Sequence, residues 1–517
     1  MNLRRNTLGV SMILLVAWLF SLTEASAASC ESLRSLALEN STITLAESVG
    51  AGEFVWPGNG GNERQRALMK QLPPFCRVAA TLKPSSDSDI KIEVWMPTSG
   101  WNGKFMGVGN GGFNGAIQYN AMARALQRGY ATSSTDTGHS SGADDASWAL
   151  GHPEKQIDFG YRAVHEMTVK AKSIIGAFNS MAPRLSYWNG CSSGGKQGLK
   201  EAQSFPDDYN GIIAGAPANY WTHLAGYIAS IGQVVRKDAA SEIPQSKYSL
   251  IHDAVLNQCD LQDKVKDDLL EDPRQCKFDP AVLQCKSSDA ATCLTAAQVN
   301  SLKQVYAPAR NPRTGQEIYP GLSVGGELGW AMLPQPFATS ESHYKYVVHQ
   351  DPNWDFHTFD LDKDIAKADA IDSEVGHFNA INPDLSAFKQ HGGKLIQFHG
   401  WNDQEISPQN SINYYETVMK RFSNQSQVSD FYRLFMVPGM MHCQGGVGAT
   451  DQFDRITALE EWVEKGKAPD RIVASHVSNG VTDRTRPLCP YPQIASWKGS
   501  GSTDDHNNFQ CVDSKRK

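Results

Sequence analysis

The sequence of 517 residues is short of the features that mark several other classes of protein. Beyond the first 27 residues, no apolar run reaches the roughly 20 residues that span a bilayer. None of the ten cysteines forms a Cys-x-x-Cys pair, which argues against a structural zinc site. Basic residues are not in excess, because 48 Lys and Arg against 55 Asp and Glu give a net charge of −7. Such a chain has no electrostatic reason to bind nucleic acid or an anionic membrane.

The N-terminus is typical of a signal peptide. Arg4 and Arg5 precede an apolar stretch at residues 12–20, and Ala25-Ser26-Ala27 offers small residues for cleavage. Removal of residues 1–27 changes the net charge only from −7 to about −8. We therefore expect a secreted or periplasmic protein. All ten cysteines follow the cleavage site, so disulfides are expected.

Segments with the pattern of strands alternate with segments with the pattern of helices. Residues 104–108 and 185–188 are predicted strands, and residues 159–175 are a predicted helix. This alternation predicts an α/β protein with a mostly parallel, doubly wound sheet. The other predicted strands are 90–96 (with one exposed face), 212–214, 394–398, 431–437 and 471–476, and the other predicted helices are 196–202, 409–421 and 454–465.

Residues 219–384 interrupt this alternation. They contain four cysteines, many Asp and Lys residues, and aromatic clusters such as Trp354 and Phe356. We interpret this segment as a lid domain inserted into a core formed by residues 28–218 and 385–517. A long irregular extension of the core is the alternative.

Ser192 lies in a motif typical of a nucleophilic serine. Gly190-Cys191-Ser192-Ser193-Gly194 matches Gly-x-Ser-x-Gly and stands between a predicted strand and a predicted helix. A tight turn at this place directs the serine oxygen outwards and requires small neighbours. The hydroxyl then needs a base to take its proton, and the base needs an acid to hold its tautomer.

His442 is the predicted base, because it follows the strand pattern at 431–437 in a loop rich in Pro and Gly. If Ser192 and His442 meet, the neighbouring Cys191 and Cys443 come within reach of a disulfide.

Asp403 is the predicted acid, because it follows a buried strand and precedes a helix. The order Ser, Asp, His along the chain is also that of the α/β-hydrolase fold. Glu405 is the nearest alternative acid. His399 is the rival base, and we interpret it as a residue that supports the triad.

An oxyanion hole needs two backbone amides that point at the reacting carbonyl oxygen. The loop Asn110-Gly111-Gly112-Phe113 follows a predicted strand, and we expect the amides of Gly112 and Ser193 to form the hole. Gly111 is the alternative to Gly112.

A second Gly-x-Ser-x-Gly match occurs at Gly138-His139-Ser140-Ser141-Gly142. It is followed by a poor helix start, and it falls too soon after the Gly-rich loop to leave room for an intervening helix and strand. We therefore prefer Ser192 to Ser140 as the nucleophile and keep His139 as a candidate lining residue.

These motifs resemble those of the tannase and feruloyl esterase family of serine hydrolases. The resemblance extends over almost the whole chain after residue 27, with matching segments at 107–115, 135–139, 158–165, 215–218 and 437–443. It implies an α/β-hydrolase with a lid that cleaves esters of aromatic acids through an acyl-enzyme. Ser192 would attack, His442 would relay the proton and Asp403 would orient His442.

The resemblance also implies a calcium ion of structural role in the lid. Its ligands would be the side chains of Asp260, Asp263 and Asp267 and the main-chain oxygens of Val265 and Leu269. Lys264 and Asp268 occupy two positions where glycine is common in the family, and a solvated acidic turn is the alternative. No organic cofactor is expected. With local spacing, the resemblance implies the disulfides Cys30–Cys76, Cys191–Cys443, Cys259–Cys276, Cys285–Cys293 and Cys489–Cys511.

The family divides among feruloyl esters, gallate esters and terephthalate monoesters. Its terephthalate branch holds the free carboxylate with a lid arginine, whereas residues 314–386 contain no arginine and Ile406 replaces an aromatic residue. Lys345, Lys363 or Lys367 could act only as point charges, without a bidentate fork. We expect feruloyl or galloyl esters, with terephthalate monoesters as the alternative. A hydrolase-fold binding protein without activity is the alternative from a different class.

Overall fold

A computed structural model describes residues 29–57, 60–332, 338–423 and 425–514. The predicted signal peptide at 1–27 lies outside the described residues and stays a prediction. Across the described ranges, no helix has both the length and the apolar character needed to cross a membrane.

The described residues form sixteen strands and fourteen α-helices. The strands are β1 (Ser41–Val49), β2 (Phe75–Leu82), β3 (Ile90–Pro97), β4 (Lys104–Val108), β5 (Ala131–Thr135), β6 (Leu185–Cys191), β7 (Gly211–Gly215), β8 (Ala309–Arg310), β9 (Glu317–Tyr319), β10 (Lys394–Gly400), β11 (Tyr432–Val437), β12 (Gln452–Phe453), β13 (Ile472–Ser478), β14 (Val481–Leu488), β15 (Gln493–Trp497) and β16 (Phe509–Asp513). The helices are α1 (Glu63–Met69), α2 (Tyr119–Gln127), α3 (Pro153–Ile157), α4 (Ala163–Asn179), α5 (Ser193–Ser204), α6 (Trp221–Val235), α7 (Tyr248–Cys259), α8 (Ala296–Tyr306), α9 (Ala338–Ser342), α10 (Lys363–Ile371), α11 (Ser386–Gln390), α12 (Pro408–Phe422), α13 (Gln425–Ser429) and α14 (Arg455–Lys465).

The central sheet has the strand order β1-β2-β3-β5-β4-β6-β7-β10-β11. The three pairings from β1 to β5 are antiparallel, and the five pairings from β5 to β11 are parallel. Apolar residues of α4 and α12 pack on one face, and those of α2 and α14 pack on the other. The mostly parallel, doubly wound sheet predicted from the alternation is therefore confirmed.

The prediction that β3 has an exposed face is wrong. Every residue of the strand except Lys91 is buried. Glu93 is buried at low cost because it pairs with Arg77 at 2.7 Å and accepts hydrogen bonds from Trp95 and Tyr119. The alternation of polar and apolar residues therefore reflects a paired internal charge.

The predicted strand at 471–476 exists, but it does not extend the central sheet. It is β13, which pairs antiparallel with β12 and β14 in a separate three-stranded sheet. A hairpin of 478–481 turns the chain back directly, and a parallel addition would have needed a longer crossover.

The chain between β7 and β10 contains α6 to α11 and the short hairpin β8–β9. Its helices enclose a hydrophobic core of their own, which includes Ile251, Leu302 and Tyr344. Phe113 of the Gly-rich loop belongs to the same core, so this segment packs directly over that loop. The lid interpretation with boundaries at 219 and 384 stays a prediction.

Five disulfides join the ten cysteines in the pairs that the resemblance implies. The Cys191–Cys443 bond connects residues 252 positions apart in the chain, with their Cα atoms 6.0 Å apart. It ties the end of β6 to the loop that follows β11.

Candidate active site

Ser192 occupies the sharp turn between β6 and α5. Its φ of 64° and ψ of −124° lie outside the regions that side-chain-bearing residues normally adopt. The Ser192 amide donates to Gly215 O at 3.0 Å, which fixes the turn against β7. A Cβ on Gly190 would approach Gly194 O to 2.4 Å, so the flanking glycine is required by the close approach. This geometry is that of a nucleophile elbow.

Asp403 and His442 lie together at the carboxyl ends of β10 and β11. His442 Nδ1 donates to Asp403 Oδ2 at 2.7 Å, and both side chains are largely buried. His399 Nε2 donates to the same carboxylate oxygen at 3.0 Å, while Ser411 Oγ donates to His399 Nδ1 at 2.7 Å. His399 therefore supports the acid, and its ring is not directed at Ser192.

The two partners shift each other's pKa. Burial alone would raise the pKa of Asp403, but the charge of His442 and the hydrogen bonds from His399 and His442 hold it below its usual range. Burial would lower the pKa of His442, but the charge of Asp403, its hydrogen bond and the charge of Glu405 raise it to about 9. Asp403 is therefore an ionised acceptor that fixes the tautomer of His442.

Glu405 lies beside the other nitrogen of the same imidazole. Its Oε2 is 3.5 Å from His442 Nε2. Its own amide and that of Ile406 donate to Asp403 Oδ1 at 2.8 and 2.9 Å. Within the described residues, no hydrogen bond joins Ser192 Oγ to His442 Nε2, and in unliganded enzymes such contacts commonly tighten only when substrate binds.

The Gly-rich loop is held tightly against the start of α5. Asn110 O accepts from Gly194 N at 2.7 Å, and Asn110 N donates to Gln197 Oε1 at 3.0 Å. Ser193 Oγ donates to Gly112 O at 2.7 Å. Across the described part of the chain, the amides of Gly112 and Ser193 have no protein acceptor, and both residues line the pocket beside Ser192. Gly111, the alternative, does not line it.

Ser140 is exposed in a loop that is not followed by a helix start. The expectation that no helix and strand fit between the Gly-rich loop and Ser140 is wrong, because α2 and β5 lie there. His139 does not line the pocket either. It is buried against Trp148, which keeps it neutral and lowers its pKa to about 4, and its Nε2 donates to Phe113 O at 2.7 Å. It thus supports the Gly-rich loop from behind.

A cavity of about 240 Å³ opens beside Ser192. Four residues of α6 form one wall at the spacing of a single helix face. The described lining residues include two carboxylates and no Lys or Arg. They are Gly112, Ala143, Asp144, Ser192, Ser193, Ala218, Trp221, Leu224, Ala225, Ile228, Thr339, Ser340, Glu405 and Ile406.

The sequence did not identify the side chains that line this pocket or those that hold the Gly-rich loop in place. Trp221, Leu224 and Ile228 follow β7 at the spacing of one helix face, and that spacing could have identified them. Asn110 and Gln197 carried no such signal, because their contact joins positions 87 residues apart.

The predicted calcium ligands lie in the loop closed by Cys259–Cys276. Lys264 and Asp268, which replace glycines, both have positive φ, at 72° and 61°. Within the described residues, Asp267 Oδ1 is buried with no hydrogen-bond partner, while its Oδ2 accepts from Arg486 at 2.5 Å. Burial and the charges of Asp267 and Asp260 raise the pKa of Asp263 to about 6, against the effect of a backbone hydrogen bond. The three aspartates supply the type of ligand that calcium prefers, but among the described residues their carboxylate oxygens do not all lie within 4.8 Å of one another, and Asp267 is already paired with Arg486.

Comparison with known proteins places this chain in a family. The family model described as tannase and feruloyl esterase matches residues 76–512. An uncharacterised esterase of Xanthomonas campestris is 38% identical, over 99% of this chain and 96% of its own. A probable feruloyl esterase B-2 of Aspergillus terreus is 32% identical, over 95% of this chain and 96% of its own.

Solved structures agree. The crystal structure of feruloyl esterase B from Aspergillus oryzae is 32% identical, with a TM-score of 0.86 over 93% of this chain and 99% of that one. The tannin acyl hydrolase of Aspergillus niger, at 20% identity and a TM-score of 0.76, shares the fold. The chain therefore belongs to the tannase and feruloyl esterase family and is a carboxylic ester hydrolase with the α/β-hydrolase fold.

Proposed function

We propose that this hydrolase cleaves esters of phenolic acids, feruloyl or galloyl, through an acyl-enzyme on Ser192. The observation that carries the proposal is the pocket beside Ser192, whose wall of Trp221, Leu224 and Ile228 suits a flat aromatic ring. The names of the related feruloyl esterases support the same substrate class.

The proposed reaction follows from the positions of the polar groups. Ser192 Oγ bonds to the ester carbonyl carbon while its proton passes to His442 Nε2. The amides of Gly112 and Ser193 hold the charge that develops on the carbonyl oxygen. Collapse of the intermediate breaks the bond to the alcohol, whose oxygen takes the proton from Nε2. Water then releases the acid by the same steps, while Asp403 keeps His442 oriented.

Terephthalate monoesters rank lower in this proposal, because they carry a second, free carboxylate. The described lining of the pocket offers that group no Lys or Arg. Lys345 pairs with Glu341, Lys363 pairs with Asp360 and Lys367 contacts His349, and none of the three lines the pocket.

A panel of methyl ferulate, methyl gallate and a terephthalate monoester tests the ranking through kcat/KM. We expect one of the two phenolic esters to be the best substrate. A terephthalate monoester with the highest kcat/KM would contradict the proposal.

We also propose that the lid loop binds one calcium ion of structural role. Asp260, Asp263 and the free Oδ1 of Asp267 would hold it, with the carbonyls of Val265 and Leu269. A chelator should lower the melting temperature while kcat is retained. Asp263→Asn should abolish this response, whereas Asp253→Asn, an exposed change on α7, should keep it. Calcium-free protein that melts at the same temperature with and without added calcium would refute the site.

We also propose that the protein is exported from the cytoplasm. Five disulfides support an oxidising compartment, since such bonds rarely persist in the cytosol. Cell fractionation should recover esterase activity outside the cytoplasm, with the mature chain starting after residue 27.

A further inference from the structure

Glu405 is fixed in place by the catalytic acid. The amides of Glu405 and Ile406 both donate to Asp403 Oδ1, so the turn that carries Glu405 is held by a buried carboxylate. Its side chain is 28% exposed and lines the pocket. Glu405 therefore presents a carboxylate to the substrate cavity from a rigid backbone.

The position of this carboxylate relates it to the alcohol half of the ester. Glu405 Oε2 lies 3.5 Å from His442 Nε2, the atom that must hand a proton to the departing alcohol oxygen. A group this close to Nε2 stands beside the path of the leaving oxygen. The aromatic acid would lie away from it, against α6.

A second carboxylate adds to the charge of the cavity. Asp144 lines the same pocket and accepts a hydrogen bond from Thr339 Oγ1, another lining residue. Burial raises the pKa of Glu405 against the effect of the charge of His442, and the charges of Asp403 and Asp144 add to the rise, so the two lining carboxylates interact. Among the described lining residues, no Lys or Arg offsets them. His442 is the cationic partner of Glu405 when it is protonated.

We propose that Glu405 determines specificity for the leaving alcohol, accepting a hydrogen bond from a hydroxyl of a neutral polyol or sugar and excluding alcohols that carry a carboxylate. This inference rests on the proposed function, because it concerns the other half of the same ester. A half-buried carboxylate accepts hydrogen bonds from hydroxyl groups and repels other carboxylates. Glu405 takes no proton in the reaction, which passes only between Ser192, His442 and the alcohol oxygen.

Two matched pairs of ferulate esters test the two halves of the proposal. The glycolic acid ester, whose alcohol carries a carboxylate, is compared with the neutral glycolamide ester. The 2-hydroxyethyl ester is compared with the 2-methoxyethyl ester, which lacks the donor. Each kcat/KM is divided by the rate of hydrolysis by hydroxide, which removes differences in leaving-group reactivity.

Wild-type enzyme should prefer the glycolamide ester by about tenfold or more, and Glu405→Gln should reduce that preference by about tenfold. The same change should weaken the preference for the hydroxyethyl ester. Glu461→Gln, which removes an exposed carboxylate paired with Lys465 on α14, is the matched control and should alter neither ratio. Ratios that are unchanged in folded Glu405→Gln enzyme would overturn the inference.

Two further measurements keep the inference testable if Glu405→Gln does not fold. Added salt should raise kcat/KM of wild-type enzyme for the glycolic acid ester only, and Asp144→Asn should shift the charge ratio in the same direction as Glu405→Gln. Absence of both effects would overturn it. Acetate esters of the same alcohols separate the two proposals: their ratios report on Glu405 even if no ferulate ester is cleaved, an outcome that would refute only the proposed acyl specificity.

Discussion

Ser192 can act as a nucleophile only because its backbone is held in a conformation that the chain would otherwise avoid. The bond from its amide to Gly215 O and the glycine at 190 stabilise this turn. Asp403 and His442 are brought to the same edge of the sheet by the carboxyl ends of two neighbouring strands. The active site thus combines a nucleophile on a strained turn, Ser192, with a base, His442, that is held by a hydrogen bond to Asp403.

Replacement of Ser192 by Ala should remove the nucleophile without disturbing the fold. We expect kcat for methyl ferulate to fall by roughly 10⁴-fold or more, as in other triads that lose a member. Ser140→Ala is the matched control, because Ser140 stands in the second Gly-x-Ser-x-Gly match and is exposed. An inactive Ser140→Ala with an active Ser192→Ala would show that the nucleophile was assigned to the wrong motif.

The pH dependence of the reaction should show how the charge of Glu405 affects the pKa of His442. Only neutral His442 can accept the serine proton, so kcat/KM falls as the pH drops below the pKa of His442. Asp403 and Glu405 raise that pKa to about 9, against the effect of burial. Glu405→Gln removes one of the two charges, so the acidic limb of the profile should move to lower pH. A limb that stays in place, or that moves equally in Glu461→Gln, would contradict this coupling.

For individual residues, the sequence identified the candidate triad, but it did not predict which side chains and amides each member contacts. The motifs around Ser192, Asp403 and His442 are local in sequence, and the structure brings Asp403 and His442 into contact. Glu405 entered only as a rival acid, because nothing in the sequence shows that its side chain faces Nε2 while its amide binds Asp403. That distinction depends on the turn after β10.

At the scale of elements, the nucleophile and the base lie on loops that follow β6 and β11, two strands that are not neighbours in the sheet. Ser192 lies in the turn before α5, and His442 lies in the loop after β11. The Cys191–Cys443 bond links these loops directly. It therefore limits how far the nucleophile and the base can separate.

Replacement of Cys191 and Cys443 by Ala should lower both stability and catalysis. The chain-entropy model assigns on the order of 5 kcal/mol to a loop of this length and about 2.5 kcal/mol to the short Cys285–Cys293 loop. Denaturant unfolding and kcat/KM measure the two effects. The control, Cys285 and Cys293 replaced by Ala, should lose less stability and keep kcat/KM. Equal kinetics in both variants would show that the bond does not position the triad.

The local sequence pattern predicts where strands occur, but it does not predict how they pair. Strands β4 and β7 are buried at every residue and carry the short apolar runs that parallel strands covered on both faces require, so a local pattern was sufficient to predict them. The same pattern could not assign β13 to its sheet, since pairing direction is set by the hairpin to β14 and not by strand composition.

For the whole molecule, sequence predicted a hydrolase core interrupted by an inserted segment, but not the pocket formed between them. The pocket combines Ser192 and Gly112 of the core with one face of α6 and with Thr339 and Ser340 of α9. Its shape depends on how the helices after β7 pack over the Gly-rich loop. Such packing joins positions far apart in sequence, and no local pattern encodes it.

Two isoleucines of α6 should therefore separate specificity from stability. Ile228 lines the pocket, whereas Ile231, one turn away, is buried in the hydrophobic core formed by the helices between β7 and β10. Ile228→Ala removes apolar surface from the wall that would hold the aromatic acid. It should lower kcat/KM for methyl ferulate relative to p-nitrophenyl acetate by about tenfold, the usual effect of methylene groups lost from an apolar pocket. Ile231→Ala should instead leave this ratio unchanged and lower the free energy of unfolding by about 2–5 kcal/mol, because it creates a cavity.

Kinetics with both esters and denaturant unfolding of both variants make the comparison. If Ile231→Ala changes the ester ratio as much as Ile228→Ala, the acid does not bind against the pocket wall formed by α6, and the substrate class proposed from this pocket loses its main support.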